Sequence, residues 1–153
     1  YDVHQLVDGD TLVLCGIKIP FNKSLVGHSD ADVALHALTD ALLGAIGIGD
    51  IGDHFPPTEK KWSGISSSTF VEFAVDAIKH KNAQIINADL TLICEKPKIS
   101  RFKERMVKRI AGLLQVEPSK VNVKATTTEG LGSMGRKEGI AANAIVSIEI
   151  PTS

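Results

Sequence analysis

Apolar positions along the chain alternate in some stretches and recur every three to four residues in others, and these changes of period mark out the elements. Leu12 and Leu14, with Val13 and Cys15 between them, predict a strand closing near Gly16. Ile17-Lys18-Ile19 alternates and stops at Pro20. Residues 29–46 read as a helix. Ser29 is its predicted N-cap, and Asp32 three residues on completes a box-like pair. Asp30 and Asp32 also suit the positive end of the helix dipole. Gly47, Gly49 and Gly52 break that helix, and Pro56, Pro57 and Gly64 predict a loop over 54–67. A second helix is predicted over 69–81, with Phe70, Phe73, Ala74, Ala77 and Ile78 on one face. Ala88, Leu90, Leu92 and Cys94 alternate with Asp89, Thr91 and Ile93 as a strand does, and Pro97 closes it. Residues 100–115 give a third helix, with Phe102, Met106, Ile110, Leu113 and Leu114 inward. A short strand follows over 121–124, then a polar, glycine-punctuated loop over 126–139. A last strand carries Ala144, Val146, Ile148 and Ile150 on one side.

This order predicts an α/β (α+β) fold: a single-domain sandwich over 1–153, with a mixed sheet and helices on one face. The other sheet face needs a cover, and a partner subunit is the natural one. Composition agrees with a globular domain, at 43% hydrophobic and 23% charged residues. A net charge of −1 gives no overall field toward nucleic acid or an anionic membrane. Arg101, Lys103, Arg105, Lys108 and Arg109 make the outer face of the third helix basic. Without interleaved aromatics that face reads as solvated surface, so neither nucleic acid nor membrane is expected as a partner. Cys15 and Cys94 lack CxxC spacing, so no disulfide framework is expected and a reducing compartment is. Tyr1 stands where an initiator Met is absent, and a short preceding, targeting or fused segment is expected before it.

Two groups of residues carry candidate chemistry. Asp2 and His4, two apart at a strand start, put both side chains on one face. His36 lies one turn after Asp32 and one turn before Asp40, so the carboxylates flank it as outer support for a ligand. Two imidazoles and a carboxylate suit zinc and leave a coordination position open. Two unrelated histidines fit the same spacing equally well. The second group is Lys124-Ala125-Thr126-Thr127-Thr128-Glu129-Gly130, directly after a strand. Its hydroxyls and amides suit a phosphate, Glu129 offers oxygen to Mg²⁺, and Arg136 suits a bidentate anion contact. A plain polar loop explains this stretch too.

Asp2-Val3-His4, the run HSDADVALHALTDA over 28–41, Gly49-Asp50-Ile51-Gly52, Val123 to Glu129, and Gly135-Arg136 with Glu138-Gly139-Ile140-Ala141 together resemble 2-C-methyl-D-erythritol 2,4-cyclodiphosphate synthase along the whole chain. The resemblance implies that Asp2, His4 and His36 hold a catalytic zinc and also face substrate. It implies that His28 and Ser29 contact a substrate phosphate, with His28 positioning the reacting group. Asp50, Ile51, Gly52 and Phe55 then meet the sugar. Cys94, Lys98, Ile99 and Ser100 line a cytosine pocket. Ala125, Thr126, Thr127 and Glu129 hold the diphosphate, Thr127 aiding the transition state and Glu129 carrying Mg²⁺ or Mn²⁺. A homotrimer with sites shared between neighbouring subunits is implied, together with a cytidine-diphosphate substrate and release of CMP. A bacterial cytoplasm is the expected setting, with a plastid as the alternative.

The chain departs from that family in two places. Pro57 follows Phe55-Pro56 where an acidic residue is usual, so an acidic contact to the sugar hydroxyls is either absent or supplied by Asp53 or Glu59. Ser133-Met134 stands before Gly135-Arg136 in place of Phe-Thr, leaving Arg136 as the anion contact of the trimer channel. Two other readings compete. One is a zinc hydrolase using Asp32 or Asp40 as base. The other is a non-catalytic trimeric module with a structural metal, which calls for a fourth protein ligand.

Overall fold

A computed structural model describes residues 1–151. The strands are β1 (Asp2–Asp8), β2 (Thr11–Leu14), β3 (Ile17–Pro20), β4 (Lys23–Leu25), β5 (Gln84–Ile93), β6 (Val121–Thr126) and β7 (Gly139–Glu149). The helices are α1 (Val33–Ala45), α2 (Ile51–His54), α3 (Ser68–His80), α4 (Lys103–Leu114) and α5 (Gly132–Gly135). Five strands form one mixed sheet in the order β4-β1-β7-β5-β6. Only the β5–β6 pair is parallel among them, and α4 is its crossover. β2 and β3 form a separate hairpin. Its two-residue turn, Cys15-Gly16, has both residues at positive φ, the geometry that matches the twist of a tight hairpin.

The strand register sorts side chains onto two faces. Leu6, Ala88, Leu90, Leu92, Val121, Val123, Ile140 and Ala142 are buried on the face that α1, α3 and α4 cover. α1 is apolar nearly all round and sits at the centre. Leu35, Leu38, Leu42 and Leu43 are completely buried, and each such side chain contributes about 1.5–3 kcal/mol. The opposite sheet face exposes Val3 (47%) and Ile145 (64%), beside Asn143, Ser147 and the Asp89–Lys124 ion pair. The predicted one-sided layering therefore holds.

Several boundaries differ from the sequence reading. α1 starts at Val33, and its N-cap is Asp32, not Ser29; the Asp32 carboxylate accepts from the Leu35 N–H. The 47–67 stretch is not all loop, because Asp50 caps the short helix α2 and a 3-10 turn spans Lys60–Trp62. A single turn, α5, interrupts the predicted 126–139 loop. β5 and β7 run longer than predicted. α3 buries Phe70, Val71, Ala74, Val75 and Ile78, while Phe73 is 40% exposed and leans on Phe55 and His54. α4 buries Met106, Ile110, Leu113 and Leu114, as expected, after a 3-10 turn over Ser100–Phe102.

Candidate active site

β1 and α1 bring the first group of residues together. Asp2 Oδ2 lies 2.8 Å from His4 Nε2 and 3.2 Å from His36 Nδ1, and the two nitrogens are 3.1 Å apart. Among the described residues this is the one His/Cys/Asp/Glu trio spaced to hold an ion. Ligand bonds of about 2.0–2.1 Å in a tetrahedron put donors roughly 3.4 Å apart, so the trio fits one face of a zinc site with small adjustment. The free cysteines, Cys15 and Cys94, are buried elsewhere, and no fourth protein ligand joins the three among the described residues. That argues against a closed structural metal.

The trio is held in place by its neighbours. The Val26 carbonyl lies 2.6 Å from His4 Nδ1 and can only accept, so the His4 proton sits on Nδ1 and Nε2 faces Asp2. Gly27 follows directly, and a Cβ there would come within 2.9 Å of the His4 ring. Glycine is therefore required for this close approach. Burial works against the charge on Asp2. The contacts from His36, His4 and the Val3 N–H outweigh it and hold the carboxyl well below its usual range. Burial likewise works against His4⁺, and Asp2 outweighs it and raises the imidazole pKa.

His36 is not supported as its flanking carboxylates suggested. The Asp32 carboxylate turns away to accept the Cys15 and Gly16 N–H groups at 3.0 and 2.6 Å, binding the hairpin turn to the start of α1. Burial pushes Asp32 up to about 6 despite those amides. Asp40 accepts from the Ile51 N–H at 2.8 Å and so fixes the start of α2. The contacts of His36 Nε2 are instead Ser29 Oγ and Ser67 Oγ, each at 2.9 Å. With both amide bonds made, Asp32 is poorly placed as the base of a hydrolase.

The trio opens into a cleft of about 580 Å³. His28, Ser29, Ile51, Gly52 and Phe55 line it, and so does Asp40. Asp50 serves α2 in a reciprocal capping box with Asp53. Asp53 is thereby committed, whereas Glu59 lines the cleft beside Pro57. Of the two candidate replacements for an acid at position 57, only Glu59 lines the cleft, and its carboxylate is paired with Lys61. Phe55 packs on Trp62, Phe70 and Phe73 with ring centroids 4.6–5.1 Å apart, making one wall aromatic.

The second group does not join this cleft. Asp2, Ala142, Leu92 and Ala125 stand in one row across β1, β7, β5 and β6. Three strand spacings of about 4.8 Å therefore separate Asp2 from Ala125. Thr126 and Thr127 follow Ala125 there, with Thr127 Oγ1 accepting from the Glu129 N–H at 3.2 Å. Lys98 and Ser100 are exposed nearby, whereas the side chains of Cys94 and Ile99 are buried and leave mainly backbone to offer a ligand. Arg136 is exposed and paired with Glu138.

Sequence reasoning missed three contributors. Ser67 is the hydroxyl on His36, 31 residues away along the chain. The Val26 carbonyl orients His4. Glu95 gathers the Thr128 and Gly130 N–H groups and shapes the 127–130 turn. No local pattern marks any of them, because each acts through a tertiary contact.

A model described as the YgbB family matches residues 1–149. The chain belongs to the YgbB family. This family member is 53% identical over 153 residues to the bifunctional enzyme IspD/IspF of Chelativorans sp. (strain BNC1), covering 100% of this chain and 38% of that protein. The corresponding bifunctional enzyme of Caulobacter vibrioides (strain NA1000 / CB15N) is 52% identical over 151 residues, with 40% of its length covered. The chain thus spans about two fifths of the curated relatives it matches. Among solved structures, a 2C-methyl-D-erythritol-2,4-cyclodiphosphate synthase superposes with a TM-score of 0.89 at 36% identity, covering 97% of this chain and 96% of that one. A Plasmodium falciparum IspF complex with CDP superposes at 0.85 and 35% identity, covering 99% and 93%. No helix among the described residues is long and apolar enough to cross a membrane.

Proposed function

We propose that this YgbB family chain converts 4-diphosphocytidyl-2-C-methyl-D-erythritol 2-phosphate to 2-C-methyl-D-erythritol 2,4-cyclodiphosphate, releasing CMP, within non-mevalonate isoprenoid precursor supply. The observation that carries the reading is the open Asp2–His4–His36 trio at the mouth of the cleft, in a chain whose relatives are named as this synthase. A solved relative holding CDP supports a cytidine diphosphate ligand.

An oxygen of the 2-phosphate forms a bond to the β-phosphorus. The bond from that phosphorus to the bridging oxygen breaks, and its electron pair leaves with CMP. Attacker and leaving group are both anionic, so no proton needs to be removed and charge repulsion is the obstacle. Asp2, His4 and His36 would hold Zn²⁺ and Glu129 would hold Mg²⁺ or Mn²⁺, and such ions would supply positive charge against the phosphate repulsion. His28 and Ser29 bind the phosphate beside the trio. Asp50, Ile51, Gly52, Phe55 and Glu59 orient the sugar. Thr126 and Thr127 hold the diphosphate, and 94–100 cradles the base. Holding both ends of a flexible substrate together is itself a large share of the catalysis.

The two groups of residues lie apart within one chain, so a single site draws them from two copies. The uncovered sheet face with Val3 and Ile145 suits that contact, and a homotrimer closes it. The test is ³¹P NMR of substrate turned over by the zinc-loaded protein. CMP and the cyclic diphosphate should appear one for one. His36→Ala should lose zinc and at least roughly a hundredfold in rate while staying folded. A linear product carrying an oxygen from water, or a His36→Ala variant with full zinc content, overturns the reading.

A further inference from the structure

An imidazole binds a cation only through an unprotonated nitrogen, and His36 turns Nδ1, not Nε2, toward Asp2 and His4. The proton of His36 therefore has to stay on Nε2. We propose that Ser67 and Asp30 are positioning residues that keep it there, through a hydrogen-bond relay from His36 to Ser67 to Asp30. The proposal rests on the cation-binding reading of the trio.

The direction of the relay follows from the number of protons available. Ser67 Oγ is in contact with Asp30 Oδ1, with His36 Nε2 at 2.9 Å and with Ser29 Oγ at 3.1 Å. A hydroxyl has one proton to give, and a carboxylate can only accept. Asp30 also accepts the Ser67 backbone N–H through its other oxygen at 3.1 Å, so the carboxylate grips Ser67 at two points. The Ser67 proton goes to Asp30, and only lone pairs remain on Oγ to face His36. At 2.9 Å that contact is favourable only when Nε2 carries the hydrogen. Nδ1 is then bare on the side where Asp2 and His4 converge, so the relay works against the Asp2 carboxylate, which at 3.2 Å favours the proton on Nδ1.

Ser29 alone cannot enforce this. Its hydroxyl accepts the Ala31 N–H at 3.2 Å and is free to rotate its own proton toward or away from His36. The opposite choice would put the proton on Nδ1 and close the ligand position. Ser67 is completely buried, so water does not compete for its bonds, and the poorly screened surroundings strengthen them. The Ser67 side chain makes no capping bond to α3, so the hydroxyl serves the relay and not the helix.

Imidazole ¹⁵N–¹H correlation NMR on the metal-free full chain reads the tautomer, and Zn²⁺ titration against a chromophoric chelator reads affinity. In the unaltered protein His36 should be a single Nε2–H tautomer. Ser67→Ala should mix the tautomers and lower Zn²⁺ affinity roughly ten- to a hundredfold, and Ser67→Thr, which keeps the hydroxyl, should recover most of it. Asp30→Asn supplies the same readings should Ser67→Ala not fold, and it should also mix the tautomers. A pure Nε2–H tautomer with affinity within about twofold in whichever variant folds overturns the relay, as does an Nδ1–H tautomer in the unaltered protein. Failure of the unaltered chain to take up Zn²⁺ refutes the cation reading instead, and the tautomer comparison still decides the relay.

Discussion

At Asp2 and His4 a proton and a cation compete for the same atoms, which makes the trio sensitive to pH in a defined direction. Asp2 is held well below its ordinary 3.8, so the stability it contributes is present above that value and is lost as pH falls through the folded one. His4 is raised above 6.5, so its contribution is complete below 6.5 and is lost as pH rises through its folded value. Without a cation the pair therefore stabilises the fold most between about pH 4 and 6.5. Binding a cation displaces the second proton of His4⁺, on Nε2, while Nδ1–H stays on the Val26 carbonyl, and apparent affinity drops roughly tenfold for each pH unit below the folded value. The rise in melting temperature on adding Zn²⁺ should be small at pH 5.5, large at pH 8 and abolished by chelator. A shift independent of pH would show that His4 is not a ligand. Glu59 makes a related point at the same scale. Its place on the cleft is visible only in the structure, which commits Asp53 to the cap of α2, because from sequence the two acids are equivalent.

Among the elements, α1 shows how a cap can tie together parts distant in sequence. Asp32 receives the N–H groups of Cys15, Gly16 and Leu35, so one carboxylate joins the β2–β3 turn to the helix carrying His36. Asp32→Ala leaves the buried Cys15 amide, the half-buried Gly16 amide and a helix end without acceptors, at about 1–3 kcal/mol per amide and about 1 kcal/mol for the cap. Burial of the charge offsets part of this, so urea unfolding at pH 7 should show a loss of about 3 kcal/mol. A loss under about 1 kcal/mol would mean the hairpin docks without Asp32. This contact is also why the start of α1 was illegible: Ser29 and Asp32 are both good caps, and only the distant hairpin turn chooses between them. α3 and α4 were readable because one face of each meets the core and the other meets water. β5 was readable only from Ala88, since the register shift between Ile85 and Asn87 breaks the alternation before it. β7 was readable only from Ala144, since Gly139 to Ala142 are buried on both faces and do not alternate. Asp2, His4 and His36 could be named from sequence, but their convergence and the part played by Ser67 depend on packing α1 against β1.

For the whole molecule, the decisive feature is that three strand spacings along one sheet row separate the trio from the Thr-rich turn, while the opposite sheet face stays uncovered. In the proposed closed ring of three, each site would take His36 from one subunit and Glu129 from its neighbour. His36→Ala and Glu129→Gln subunits are each expected to be inactive alone, the first lacking zinc and the second retaining it with a weakened Mg²⁺ response. Mixed after unfolding and refolding together, they should complement. Every mixed trimer, whichever variant is in excess, has one boundary where an intact His36 meets an intact Glu129. Random assembly from equal amounts makes about three quarters of the trimers mixed, so about a quarter of all sites are restored. Activity near a quarter of the unaltered protein, in a particle whose mass by light scattering is three chains, is the expected result. No recovery in trimers proven to be mixed would place both residues of a site in the same subunit, and the substrate would then have to bridge the separation across the sheet within one chain.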